Sequence, residues 1–214
     1  MPYHSYQVWG VLLRLYHWSL ALSIITLTVT GFYIHEPWAN SLVEGSGAWS
    51  MATFRLIHFI AGFVFTAAVL VRFYLLLFGN RHERAWAFAP VTPANISNLF
   101  QTLLFYAYLK KHAEPRLTHN ALAGLFYLLT FFFALGQLLT GFALLYPESL
   151  AWQGMALKFF GTQQQLRFIH YLLMWYFMFF AMMHVYIVIW NDIQTKEGLV
   201  SSIFNGTKFL PLGS

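Results

Sequence analysis

The chain has 214 residues, 59% of them hydrophobic and only 9% charged, with a mean hydropathy of +0.58. A soluble domain carries about 25% charged residues, so the composition excludes that class and indicates a membrane protein. The absence of cysteine excludes disulfides, thiolate-held clusters and thioether-linked cofactors, and the net charge of +5 comes from basic residues at span ends rather than from a nucleic-acid surface.

A helix needs about 20 apolar residues to cross a bilayer. The first such stretch, Trp18–Ile34, gains a turn from Arg14 and His17 and gives a span over 14–35. Its apolar run is too long for a signal peptide and no small-x-small site follows Ile34, so it is expected to remain in the protein. The second, Leu56–Leu77, predicts a span over 55–78. Gly79-Asn80-Arg81, Pro90 and Pro93 then punctuate a long connection. Within it, Ile96–Lys111 carries apolar residues at 96, 99, 100, 103, 104 and 107. That helical spacing predicts an interfacial helix lying on the membrane, with a core-packing helix as the alternative. The third and fourth stretches, Ala121–Tyr146 and Phe168–Trp190, predict spans over 121–146 and 167–190. The expected fold is all-α: one membrane domain over 1–214, a bundle of four spanning helices.

Four spans put both termini and the Gly79–Asn120 connection on one side. That side holds nine basic residues: Arg14, Arg72, Arg81, Arg84, Lys110, Lys111, Arg116, Lys196 and Lys208. The other holds three: Arg55, Lys158 and Arg167. The positive-inside rule then predicts cytoplasmic termini in a multi-pass protein of the cytoplasmic membrane. The outward loops are His35–Phe54 and Pro147–Leu166.

Four histidines lie inside these uncharged segments: His17, His58, His170 and His184. Ionisable residues in a span are costly and mark functional sites. Three follow an arginine at one interval, in Arg14-x-x-His17, Arg55-x-x-His58 and Arg167-x-x-His170. The direction of each span sets its histidine's depth: His58 and His170 fall near the outer face, His17 near the inner. His184 lies fourteen residues beyond His170, about 21 Å along a helix and back within roughly 40° of the same face. Depth therefore pairs His58 with His170 and His17 with His184. Two neutral imidazoles on facing helices suit the iron of a b-type haem, so two non-covalent haem b groups are expected, one near each face. Residues three apart share a helix face, so Arg55 and Arg167 are expected at the outer haem and Arg14 at the inner. Arg72, fourteen residues after His58, is expected inward at the inner haem's depth. Guanidinium groups neutralise propionates. Met174, Met178, Met182 and Met183 are expected to pack the bundle.

Two further features stand out. Thr30-Gly31-Phe32 is echoed by Thr140-Gly141-Phe142 near the outward ends of spans one and three. Gly31 and Gly141 admit either close approach to a flat ligand or packing of helices through small residues. His119 and Asn120 open span three beside the inner haem. With Arg72 and Asp192 they are candidates for a quinone site, while Asn120 also suits a helix cap.

At these residues the chain resembles a known family. Arg14-Leu-Tyr-His17-Trp18, Thr30-Gly31-Phe32-Tyr33-Ile34 and Arg55-Leu-Ile-His58-Phe-x-Ala-Gly62 carry the likeness. So do Gly79-Asn80-Arg81, Gly136-Gln137-Leu138-Leu139-Thr140-Gly141-Phe142-Ala143-Leu144 and His184-Val185-Tyr186. Together they resemble the b-type cytochrome subunit of membrane-bound nickel–iron hydrogenases, with the formate dehydrogenase membrane subunit as a more distant relative. The resemblance implies that His17, His58, His170 and His184 are axial ligands. It implies an anchor for the hydrogenase small and large subunits, passing electrons from an iron–sulfur relay to quinone without activating hydrogen itself. A cytochrome for a formate or thiosulfate enzyme, a self-contained ferric or ascorbate reductase, and a haem-free anchor or transporter are the competing readings. Trp38, Trp49, Trp152 and Phe159-Phe160 in the outward loops are expected to serve partner docking or a membrane belt.

Overall fold

The computed structural model describes residues 3–38, 50–80, 83–84, 89–110 and 120–211. Four long helices account for the apolar stretches: α1 (Val11–His35), α2 (Ser50–Phe78), α4 (Ala121–Leu145) and α6 (Gln163–Thr195). All four are long and apolar enough to cross a membrane. None contains proline, and no described peptide bond is cis. Helix α2 starts five residues earlier than hydropathy indicated, and α6 is longer at both ends. Its 33 residues amount to about 50 Å, more than the roughly 30 Å of a hydrocarbon core.

Four elements complete the described chain around these spans: α3 (Pro93–Tyr106), α5 (Leu150–Phe160), α7 (Leu199–Asn205) and a two-stranded sheet of β1 (Tyr3–Gln7) and β2 (Thr207–Pro211). The chain divides into two compact units. One comprises Met1–Leu15, Val71–Phe133 and Met183–Ser214; the other comprises Tyr16–Leu70 and Ala134–Met182.

The unit that carries both chain ends is tied by polar contacts. β1 pairs antiparallel with β2, Gln7 opposite Thr207 and Tyr3 opposite Pro211. The Trp9 indole donates to Ser202 Oγ at 3.0 Å. Lys208, almost fully buried, pairs with Glu197 at 2.8 Å. Helix α3 starts three residues earlier than expected, because Pro93 enters the first turn and the Thr92 hydroxyl accepts from Asn95 N. It ends at Tyr106, five residues short, and Tyr108 beyond it takes a positive φ of 60°. Its polar residues Asn95, Asn98 and Thr102 are buried, while Ile96, Phe100, Leu103 and Leu104 are exposed. This is the reverse of a soluble amphipathic helix and is what an interfacial helix requires, its apolar face left for lipid. Asn98 Oδ1 accepts from Ala121 N at 2.9 Å, joining α3 to the start of α4.

The other unit packs through small residues and aromatic rings. Ser23, Thr30, Ala61, Ala68, Ala134, Thr140 and Ala143 are buried, whereas the large apolar side chains of α1 at 22, 25 and 29 are exposed. Small residues at helix contacts and large ones facing lipid are the membrane pattern. Tyr33 is buried, stacks on Phe54 at 3.8 Å and donates to Ser50 Oγ at 2.9 Å, fastening α1 to α2. Phe63 meets Phe142, Phe65 meets Phe177 and Phe32 meets Trp175, each edge-on, so α2 touches α4 and α6, and α1 touches α6. Helix α5 falls in a segment expected as loop. Trp152 turns inward to stack on Phe142 at 5.8 Å, and Phe160 packs on the buried cluster of Ala143, Ala156 and Leu166. Phe159 and Trp38 remain exposed; Trp49 lies outside the described residues.

Candidate functional site

His58 and His170 both belong to the Tyr16–Leu70 and Ala134–Met182 unit, in the third turns of α2 and α6. Each imidazole receives the same treatment from a neighbouring helix. Thr30 Oγ1 of α1 stands 2.8 Å from His58 Nδ1. Thr140 Oγ1 of α4 stands 2.8 Å from His170 Nδ1. Each threonine also bonds back along its own helix, Thr30 to the Thr26 carbonyl at 2.7 Å and Thr140 to the Gly136 carbonyl at 2.9 Å.

The glycine after each threonine makes room for the same ring. A Cβ at Gly141 would stand 3.3 Å from His170 Cε1; one at Gly31 would stand 3.6 Å from His58 Cε1 and 3.7 Å from Met174 Sδ. The repeated Thr-Gly pair is therefore a cradle for an imidazole of the adjacent helix. Gly31 and Gly141 face rings of protein, which is the close-packing use of a small residue.

The arrangement suits a haem. Thr30 and Thr140 engage Nδ1 of their histidines, so Nε2 is the nitrogen a metal would take. Gln137 Nε2 lies 3.2 Å from His170 Nε2, and its Oε1 is buried without a hydrogen-bond partner among the described residues. A polar group poised at that nitrogen with an unsatisfied oxygen is consistent with a site that accepts a further occupant. Two imidazoles with no thiolate would make a b-type donor set. Arg55 and Arg167, three residues ahead of these histidines, are exposed.

The other candidates are placed as follows. His17 is half-buried on α1, with its ring edge-on to Trp18 at 5.2 Å. His184 is half-buried on α6, edge-on to Tyr127 at 6.1 Å. An Arg14 amino group donates to the Phe204 carbonyl, while its Nε is buried with no hydrogen-bond partner among the described residues. A propionate would satisfy such a donor. Arg72 donates to the Glu83 carbonyl at 2.9 Å. Asn120 caps α4, its Oδ1 accepting from Ala123 N at 2.8 Å. Asp192 Oδ1 accepts from Leu199 N at the start of α7. Arg72, Asn120 and Asp192 thus each serve a local structural bond; His119 lies outside the described residues. Met174 is buried beside Gly31, and Met182 and Met183 are exposed. His35 stacks on Tyr171 at 4.6 Å.

Reading the sequence for ligands missed Thr30, Thr140 and Gln137. The signal for the threonines was present, because both copies of the echoed pair begin with threonine; attention to glycine passed over it. Gln137 carries no comparable signal, since position 27 at the corresponding place in the first copy is leucine.

Comparison with known proteins gives the chain a family. The family described as prokaryotic cytochrome b561 matches residues 8–206. A probable Ni/Fe-hydrogenase B-type cytochrome subunit of Cupriavidus necator is 35% identical, over 90% of this chain and 82% of that protein. The counterpart from Azotobacter vinelandii is also 35% identical, over 91% and 84%. An Escherichia coli protein described as a probable Ni/Fe-hydrogenase 1 B-type cytochrome subunit is 30% identical, over 94% and 90%. With four spanning helices and a match over nearly all its length, the chain is a multi-pass membrane protein of the prokaryotic cytochrome b561 family.

Proposed function

We propose that this protein is a di-haem b-type cytochrome that anchors a nickel–iron hydrogenase to the outer face of the cytoplasmic membrane and passes electrons from the iron–sulfur small subunit to quinone. The observation that carries the reading is the twin Thr–His contact, made at the same 2.8 Å on two different helix pairs. Two histidines on separate helices thus meet the same Thr-Gly pair through the same ring nitrogen. The names of the relatives support a hydrogenase over a formate or thiosulfate enzyme.

In this reading His58 and His170 hold the iron of the outer haem, and His17 and His184 that of the inner. Haem b supplies reversible one-electron chemistry at each site. Arg55 and Arg167 neutralise propionates at the outer edge, and Arg14 and Arg72 do so at the inner edge, where Arg14 Nε lacks a partner among the described residues. The termini face the cytoplasm, in accord with the bias in basic residues.

Hydrogen oxidised by the soluble subunits yields two protons and two electrons outside. Quinone takes two electrons and two protons to become quinol. If the protons come from the cytoplasm, through the region of His119, Asn120, Arg72 and Asp192, the pair of half-reactions charges the membrane. The test is hydrogen-dependent quinol formation in membranes containing the whole complex. It should vanish when this chain is deleted while hydrogen oxidation with a soluble dye persists. Unimpaired quinol formation without the chain would refute the proposal.

A further inference from the structure

We infer that Thr30 and Thr140 are positioning residues that fix the tautomer of His58 and His170, present Nε2 to the iron, and hold the reduction potential of that haem down. The inference rests on the haem reading given above and goes beyond it to residues that touch no iron.

A threonine hydroxyl has one proton to donate. Thr30 commits its proton to the Thr26 carbonyl at 2.7 Å, and Thr140 to the Gly136 carbonyl at 2.9 Å. Toward the imidazole, each oxygen can therefore only accept. Nδ1 of His58 and of His170, 2.8 Å away, must then carry the ring proton, which leaves the lone pair on Nε2. The Gln137 amide nitrogen, 3.2 Å from His170 Nε2, can only donate, so the contact is compatible with that tautomer, and an iron at Nε2 would take its place.

Both hydroxyls are buried, Thr30 at 3% and Thr140 at 0% exposure, so water does not compete for the contact. A partner on the far nitrogen of a metal-bound imidazole fixes ring orientation and raises ligand basicity. A more basic ligand favours ferric over ferrous iron. The same device on both axial ligands acts twice in one direction. It differs from ordinary helix packing, because valine would fill the same space without accepting the proton.

The test uses the assembled complex in membranes and the variants Thr30→Val, Thr140→Val, both together, and Thr30→Ser and Thr140→Ser. The haem in question is the one removed by His58→Ala or His170→Ala. Haem content, midpoint potential and low-spin ferric resonance are measured for each. The valine variants should raise that potential, the double variant furthest, with the other haem unmoved and the serine variants close to the parent. Loss of that haem from the valine variants but not the serine variants would support the same role, since such partners are worth roughly 10- to 100-fold in affinity. Valine variants with full haem and unchanged potential and resonance would overturn the inference, as would serine variants that behave like valine. Persistence of both haems in His58→Ala and His170→Ala would instead sink the haem reading itself.

Discussion

Four histidines in apolar spans were readable without any structure because an imidazole is expensive there. Their orienting partners were not. Thr30 and His58 are 28 residues apart and Thr140 and His170 are 30 apart, so the contact exists only once helices pack. If the depth pairing is right, His58→Ala and His170→Ala each remove the same haem from the reduced-minus-oxidised spectrum, and His17→Ala and His184→Ala remove the other. Two different spectra from His58→Ala and His170→Ala would break the pairing. The two glycines are not equivalent. A methyl at Gly141 meets His170 Cε1 at 3.3 Å, on a ring held from two sides, whereas one at Gly31 enters ordinary contact. Gly141→Ala should therefore lower haem content per chain while Gly31→Ala stays near the parent; equal behaviour would show that the cradle has more slack than its geometry indicates.

The spans announce themselves as elements because twenty apolar residues in a row have few alternatives to a membrane helix. Helix α5, with 11 residues, α7, with 7, and the terminal strands, with 5 each, fall below the length at which periodicity separates helix, strand and loop. What holds them is tertiary: Phe142 under Trp152, Asp192 at the start of α7, and β1 against β2. Helix α3 was visible by its spacing, but not by which face turns inward. Its buried Asn98, accepting from Ala121 N, links α3 to α4. Asn98→Ala leaves a buried donor unsatisfied and should lower stability by about 1–3 kcal/mol, read as an earlier thermal transition in detergent without a change in the haem spectrum. An unaltered transition would mean that α3 is held mainly by its other contacts, such as Asn191 with Tyr106 at 2.8 Å.

For the whole molecule, the first and last described segments, β1 and β2, pair in one small sheet, with Lys208 buried against Glu197. Nothing in a five-residue segment foretold that pairing. The charge asymmetry across the spans predicts its side: a reporter fused after Ser214 should be active only if cytoplasmic, and activity from a periplasm-dependent reporter there would invert the topology. The central claim, a chain that holds two haems with four histidines, is tested most directly by a pyridine haemochrome count on the complex in fresh membranes and after purification. The account predicts two low-spin b haems per chain. One haem in fresh membranes would contradict the two-site relay, and none would contradict the cytochrome function altogether.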